Sequence, residues 1–138
     1  MGRLTQAAQP YALLVESPVI ANSQEEQIDN LKRLRDLLSD KGIAVQIIAD
    51  EWCNTLEDIK LFADVSASDY VQIKTPDLGG INNSIEAVLY CRAKQMGSSL
   101  GGTANETDHS ARITTHIGLA CSPDFMLSKP GLGVDEAL

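Results

Sequence analysis

Nothing in this 138-residue chain approaches the apolar run of about 18 residues that a bilayer span requires, and the N-terminus lacks the apolar segment of a secretory leader. A membrane is therefore not expected as a partner. Histidine is scarce: His109 and His116 are too few for a histidine-rich metal site. The three cysteines, Cys53, Cys91 and Cys121, are an odd number without C-x-x-C spacing, which fits reduced thiols in a cytoplasmic protein. Basic residues are outnumbered, 11 against 19 acidic, for a net charge of -8. That balance speaks against nucleic acid or an anionic lipid surface as the main partner. There is no low-complexity stretch, linker or sequence repeat, so residues 1–138 are expected to form a single block.

What the chain does contain is strand-like runs alternating with helix-like ones. Tyr11-Ala12-Leu13-Leu14-Val15 is a continuous apolar run, as in a strand buried on both faces. Ser23-Gln24-Glu25-Glu26 then has the form of a capping box. Ile28, Leu31, Leu34, Leu37 and Leu38 follow at helical spacing, and Gly42 supplies a stop. Residues 44–49 predict a second strand, and 55–65 a shorter helix. Val71 and Ile73 alternate with polar residues in a third strand, which Pro76 and Gly79-Gly80 bring to an end near Thr75. Asn82 or Asn83 can cap a helix through Ile85, Val88 and Leu89 that ends at Gly97. A weak strand at 98–100, a helix over 108–120 and a strand at 125–127 complete the alternation. The pattern predicts an α/β fold of parallel βαβ units.

The ends of these strands carry chemistry. In order they present Glu16, Asp50, Lys74, Thr103 and Lys129. Parallel α/β folds bind ligands at the carboxyl ends of their strands, where neighbouring ends share one rim. Glu16 and Asp50 are suited to a hard divalent cation such as Mg²⁺. Lys74 faces the same space, either as a solvated strand-end lysine or as a partly desolvated base with a lowered pKa. Other candidates read as structural. Trp52 and Cys53 are expected to pack at a strand–helix junction, Cys91 in the core beside Ala87, and Cys121 at a helix end. Gly101-Gly102-Thr103 has the form of a phosphate cradle, but Glu106 and Asp108 would repel an anion there.

Four segments resemble the methylaspartate ammonia-lyases of the enolase superfamily. They are the runs from Val71 to Gly80, from Ala49 to Asn54, from Gly101 to Thr107 and from Lys129 to Glu136. The resemblance extends from about Pro10 to the C-terminus. It implies part of a TIM-type (βα) barrel, strands four to eight, without the N-terminal capping domain and the first barrel strands. It also implies Mg²⁺-dependent removal of ammonia from 3-methylaspartate to give mesaconate, a step of glutamate catabolism. By position, Glu16 and Asp50 are similar to metal ligands, Lys74 to the base, and Gln72, Thr103 and Ala104 to substrate contacts. The family has a cysteine where this chain has Ala104. A third metal carboxylate and a second base, a histidine, belong to earlier strands, so Mg²⁺ binding by this portion is expected to be weak. His109 and His116 do not match that histidine by position.

Five strands cannot close an eight-stranded barrel. The expectation is self-association, with a C₂ dimer the simplest form, complementation by another fragment, or an open sheet covered by helices on both faces. Two functions stay open alongside the lyase. One is a non-catalytic barrel fragment that folds by self-association. The other is a different proton abstraction of the superfamily, such as a dehydration.

Overall fold

A computed structural model describes residues 1–104 and 106–127. The elements run α1 (Gly2–Ala8), β1 (Leu13–Glu16), α2 (Gln24–Asp40), β2 (Val45–Ala49), α3 (Leu56–Asp64), β3 (Tyr70–Ile73), α4 (Ile81–Ala93), β4 (Gly97–Leu100), α5 (Asp108–Cys121) and β5 (Phe125–Met126). The strands form one parallel sheet in the order β1-β2-β3-β4-β5, curled as half of a (βα) barrel. No helix among the described residues is long and apolar enough to cross a membrane.

Strand periodicity divides the sheet into two unlike faces. Ile47, Ala49, Val71, Ile73 and Leu100 are wholly buried on one of them. They join one core with Leu31 and Leu38 of α2, Ile59 and Phe62 of α3, Val88 and Cys91 of α4 and Ile117 of α5. The helices thus cover this face alone, and the two-sided covering allowed by the sequence is not what the chain adopts. The other face is the concave one. The register sets Glu16 beside Ile48, Ile48 beside Tyr70, Tyr70 beside Gly97, and Gln72 beside Ser99. On β4 that face has almost no side chains. A Cβ on Gly97 would lie 2.0 Å from the Tyr70 ring, and one on Gly101 would lie 2.3 Å from Cδ of Gln72. Both residues of β3 therefore lean sideways across bare backbone, and Tyr70 reaches Phe125 with ring centroids 5.3 Å apart.

Local signals set most boundaries. Ser23 caps α2 by accepting from the Glu26 amide, but Glu26 reaches back to the Asn22 amide instead of completing the box with Ser23. Gly42 takes a positive φ of 59° just past that helix. Thr55 and Asp58 form a full capping box on α3, as do Thr107 and Ser110 on α5.

Three expectations are corrected. Neither asparagine caps α4: Gly80 is its N-cap, and Asn83 donates to the Leu78 carbonyl instead. Gly97 does not end α4, because the chain turns at Gln95 with φ 59° and Gly97 opens β4. The third strand stops at Ile73, since the Lys74 carbonyl accepts from the amides of Asp77 and Leu78 in a turn. Helix α1 had no counterpart in the sequence reading. Lys129 and the motif through Glu136 lie outside the described residues.

Candidate active site at the strand ends

The parallel sheet brings Glu16, Asp50 and Lys74 to one rim without any special loop. Glu16 is the last residue of β1, while Asp50 and Lys74 each follow the last residue of β2 and β3. The geometry joins the latter two directly: Lys74 Nζ lies 2.6 Å from Asp50 Oδ1, with side chains only 15% and 14% exposed. Such a shielded pair is held far more firmly than a surface ion pair.

The lysine is not the depressed base that strand-end burial suggested. Burial does pull its pKa down, but the hydrogen bond and charge of Asp50, aided by Glu51 and Asp77, more than reverse this, and the ammonium is held above its ordinary range. Glu16 is more open to solvent. Partial burial and the negative charges of Asp50 and Glu51 raise its pKa, while Lys74 opposes them. Two carboxylates and one ammonium thus share a single electrostatic field.

Gln72 lies one step down the same face of β3, 6% exposed, with its Oε1 unmatched by any hydrogen bond. A buried amide oxygen left so is costly and is available to a ligand donor. Thr103 and Ala104 lie on the loop after β4, Thr103 half-buried and Ala104 exposed, and the Thr103 carbonyl accepts from the Glu106 amide. The structure therefore pairs Asp50 with Lys74, sets Glu16 in their field and Gln72 beneath, and leaves Thr103 and Ala104 on the neighbouring loop.

Around this set lie residues that read as structural in the sequence. Cys53 Sγ donates to the Asp50 carbonyl at 3.2 Å, and its burial pushes its thiol well above the usual range, as burial does Cys91 to about 12. These are core thiols, not nucleophiles. Trp52 is not packed as expected: it is 39% exposed and at φ 64°, and its indole nitrogen donates to the Ala21 carbonyl. Among the described residues, no three or more His, Cys, Asp or Glu side chains come together as a metal cluster.

A separate cavity of about 450 Å³ opens at the other end of the strands, lined by Arg35, Asp69, Tyr70, Arg92 and Asp124 among others. Its charges serve the fold. Arg35 pairs with Asp69, which also accepts from the Ile47 amide, and Asp124 accepts from the Ser98 amide.

Comparison with known proteins agrees with the fold. The family described as methylaspartate ammonia-lyase C-terminus matches residues 1–138. Methylaspartate ammonia-lyase 2 of Carboxydothermus hydrogenoformans is 57% identical over the whole chain, which covers 33% of that protein. The magnesium complex of β-methylaspartase from Clostridium tetanomorphum superposes with a TM-score of 0.87 at 49% identity, over 96% of this chain and 32% of that one. The Citrobacter amalonaticus methylaspartate ammonia-lyase containing (2S,3S)-3-methylaspartic acid gives 0.91 at 48% identity, over 99% and 33%. The chain spans about a third of the length of the curated relatives it matches. With the family match spanning the whole chain and relatives of this identity, this chain belongs to the methylaspartate ammonia-lyase family, of which it represents the C-terminal part.

Proposed function

We propose that residues 1–138 are one barrel block of a lyase that eliminates ammonia from 3-methylaspartate to give mesaconate. Lys74 is the base, Glu16 and Asp50 are cation ligands, and Gln72 and Thr103 are substrate contacts, with Ala104 lining the same loop. The observation that carries this reading is the shielded Lys74–Asp50 pair at the carboxyl ends of two adjacent parallel strands. The donor set fits a hard cation: both ligands are carboxylates, and the repulsion from Asp50, which after burial helps to raise the pKa of Glu16, is what a divalent ion relieves. Magnesium bound there would supply positive charge to stabilise the enolate that develops on the substrate carboxylate.

The chain's own residues do the rest. When the Asp50 charge is engaged elsewhere, burial, already the largest single influence on Lys74, is opposed only by Glu51 and Asp77 and pulls the ammonium toward its neutral amine. Neutral Nζ takes the proton from the carbon beside the substrate carboxylate. The electron pair of that C–H bond then forms the double bond as the carbon–nitrogen bond breaks and ammonia departs. The unmatched Gln72 oxygen accepts from the substrate, and the Thr103 hydroxyl donates to a carboxylate.

The test is to mix the chain with (2S,3S)-3-methylaspartic acid and Mg²⁺ and follow the ultraviolet absorbance of the unsaturated product. Product that Lys74→Ala abolishes would establish the chemistry in this portion alone, although weak Mg²⁺ binding by a block lacking the third carboxylate predicts little of it. If none forms at high protein concentration, catalysis by this chain on its own is refuted. The reading of a fragment that folds by self-association draws support from the uncovered concave face, where Phe125 is 38% exposed. Gel filtration showing a larger assembly without turnover would favour it.

A further inference from the structure

One loop follows the rim carboxylate Glu16 and another carries Asp50, and the molecule ties the two together. Residues 17–23 follow Glu16 and lead into α2, and residues 50–55 carry Asp50 and lead into α3. Each contains a non-glycine residue in the left-handed region close to its carboxylate, Ser17 at φ 43° and Trp52 at φ 64°. Such conformations persist only where surrounding contacts hold them, and they gather at functional sites.

The contacts here form one chain of hydrogen bonds. Gln27 is wholly buried although polar. Its Oε1 accepts from the Ala21 amide at 2.8 Å and its Nε2 donates to the Val19 carbonyl at 3.0 Å, fixing the first loop on α2. The Trp52 indole nitrogen then reaches from the second loop to the Ala21 carbonyl at 3.1 Å. The Gln24 amide returns the contact by donating to the Trp52 carbonyl at 2.8 Å and to Asp58 Oδ1 at 2.6 Å, which anchors the second loop to the start of α3. The Ser17 amide donates to the Ile48 carbonyl at 3.1 Å, so the end of β1 is also tied to the strand that bears Asp50.

We infer that Trp52 is a positioning residue. Clasped between Ala21 and Gln24, it locks the Glu16 loop to the Asp50 loop and so sets the separation at which the two carboxylates meet a divalent cation. The inference rests on the reading of Glu16 and Asp50 as cation ligands. The role assigned to Trp52 is exerted through the loops, by its hydrogen bonds to Ala21 and Gln24. An indole serves because it spans the gap with a rigid ring and ends in one donor.

Trp52→Phe keeps the ring and removes the donor. Mn²⁺, as a paramagnetic substitute for Mg²⁺, is titrated against wild type, Trp52→Phe, Gln24→Leu and the control Asp50→Asn, with thermal unfolding and amide hydrogen exchange measured on the same samples. Trp52→Phe and Gln24→Leu are expected to weaken Mn²⁺ binding about tenfold, the scale seen when an outer partner of a metal ligand is removed. The Ala21 and Ser17 amides should exchange faster in both, while unfolding temperatures stay near wild type. Affinities within twofold of wild type in both variants would overturn the inference, and so would losses that merely track lowered unfolding temperatures. If wild type binds Mn²⁺ no better than Asp50→Asn, the cation-ligand reading itself fails and takes the inference with it. That failure shows in the control, apart from anything Trp52 does.

Discussion

The carboxylate of Asp50 and the ammonium of Lys74 lie 2.6 Å apart in a setting where each is about 15% exposed, and each controls what the other can do. Asp50 keeps Lys74 protonated. Lys74 in turn lowers the pKa of Glu16 against the combined push of burial, Asp50 and Glu51. In the proposed function this ties the base to a cation ligand, so whatever engages Asp50 also bears on the charge of Lys74.

Asp50→Asn removes the group that holds Lys74 up and leaves burial to pull it down. The Lys74 pKa is expected to fall relative to wild type, as read by an NMR titration of its side chain. The sign for stability follows from the raised folded value. The benefit of the pair is complete below the unfolded lysine value of 10.5 and fades as pH rises through the folded value. The difference in urea stability between wild type and Asp50→Asn should therefore shrink at high pH. A gap that stays constant across that range would contradict the assignment.

The cap of α3 has the opposite pH signature. Burial alone would raise Asp58, but hydrogen bonds from Thr55, Gln24 and Asn54 outweigh it and hold the carboxyl below its usual range. Its stabilising share is present above the unfolded value of 3.8 and is lost as pH falls through the folded one. Thr55→Ala, which takes away the cap itself, is expected to cost about 1 kcal/mol at neutral pH. Thermal unfolding of both chains from neutral pH downward should show that difference narrowing in acid.

Gln72 and Gly101 should respond in opposite directions. Gly101→Ala forces a methyl into the space of the Gln72 amide, 2.3 Å from its Cδ, and is expected to destabilise by about 1–3 kcal/mol while displacing that amide in NMR spectra. Gln72→Met fills the same volume without a buried unmatched oxygen, and about 1 kcal/mol of added stability is expected in urea unfolding. Turnover of 3-methylaspartate should fall in both. A Gln72→Met chain less stable than wild type would show that the oxygen is satisfied.

Patterns that act within a few residues were legible in the sequence. The Ser23 cap, the Gly42 stop and the strand at Val71–Ile73 come from spacing and turn chemistry, and the rim of Glu16, Asp50 and Lys74 follows from where strands end. What the sequence concealed depends on partners far along the chain. The charge state of Lys74 is decided by Asp50, 24 positions away. Gly97 read as a helix stop because nothing local reveals the Tyr70 ring lying over it. Gln27 falls on the buried stripe of α2 with Leu31 and Leu38, and that placement was its one available signal. Trp52 gave none, since its bond to Ala21 spans 31 residues.

The bare inner edge of β4 also bears on how this protein can drift over generations. Because the Tyr70 ring occupies the volume above Gly97, and the Gln72 amide the volume above Gly101, a side chain at either glycine must displace its neighbour on β3. These are coupled positions, changed at least cost in pairs, with the smaller residue on β3 first. A lineage altering its substrate through Gln72 would find Gly101 newly open to substitution, and the next recess of the barrel wall would be carved there.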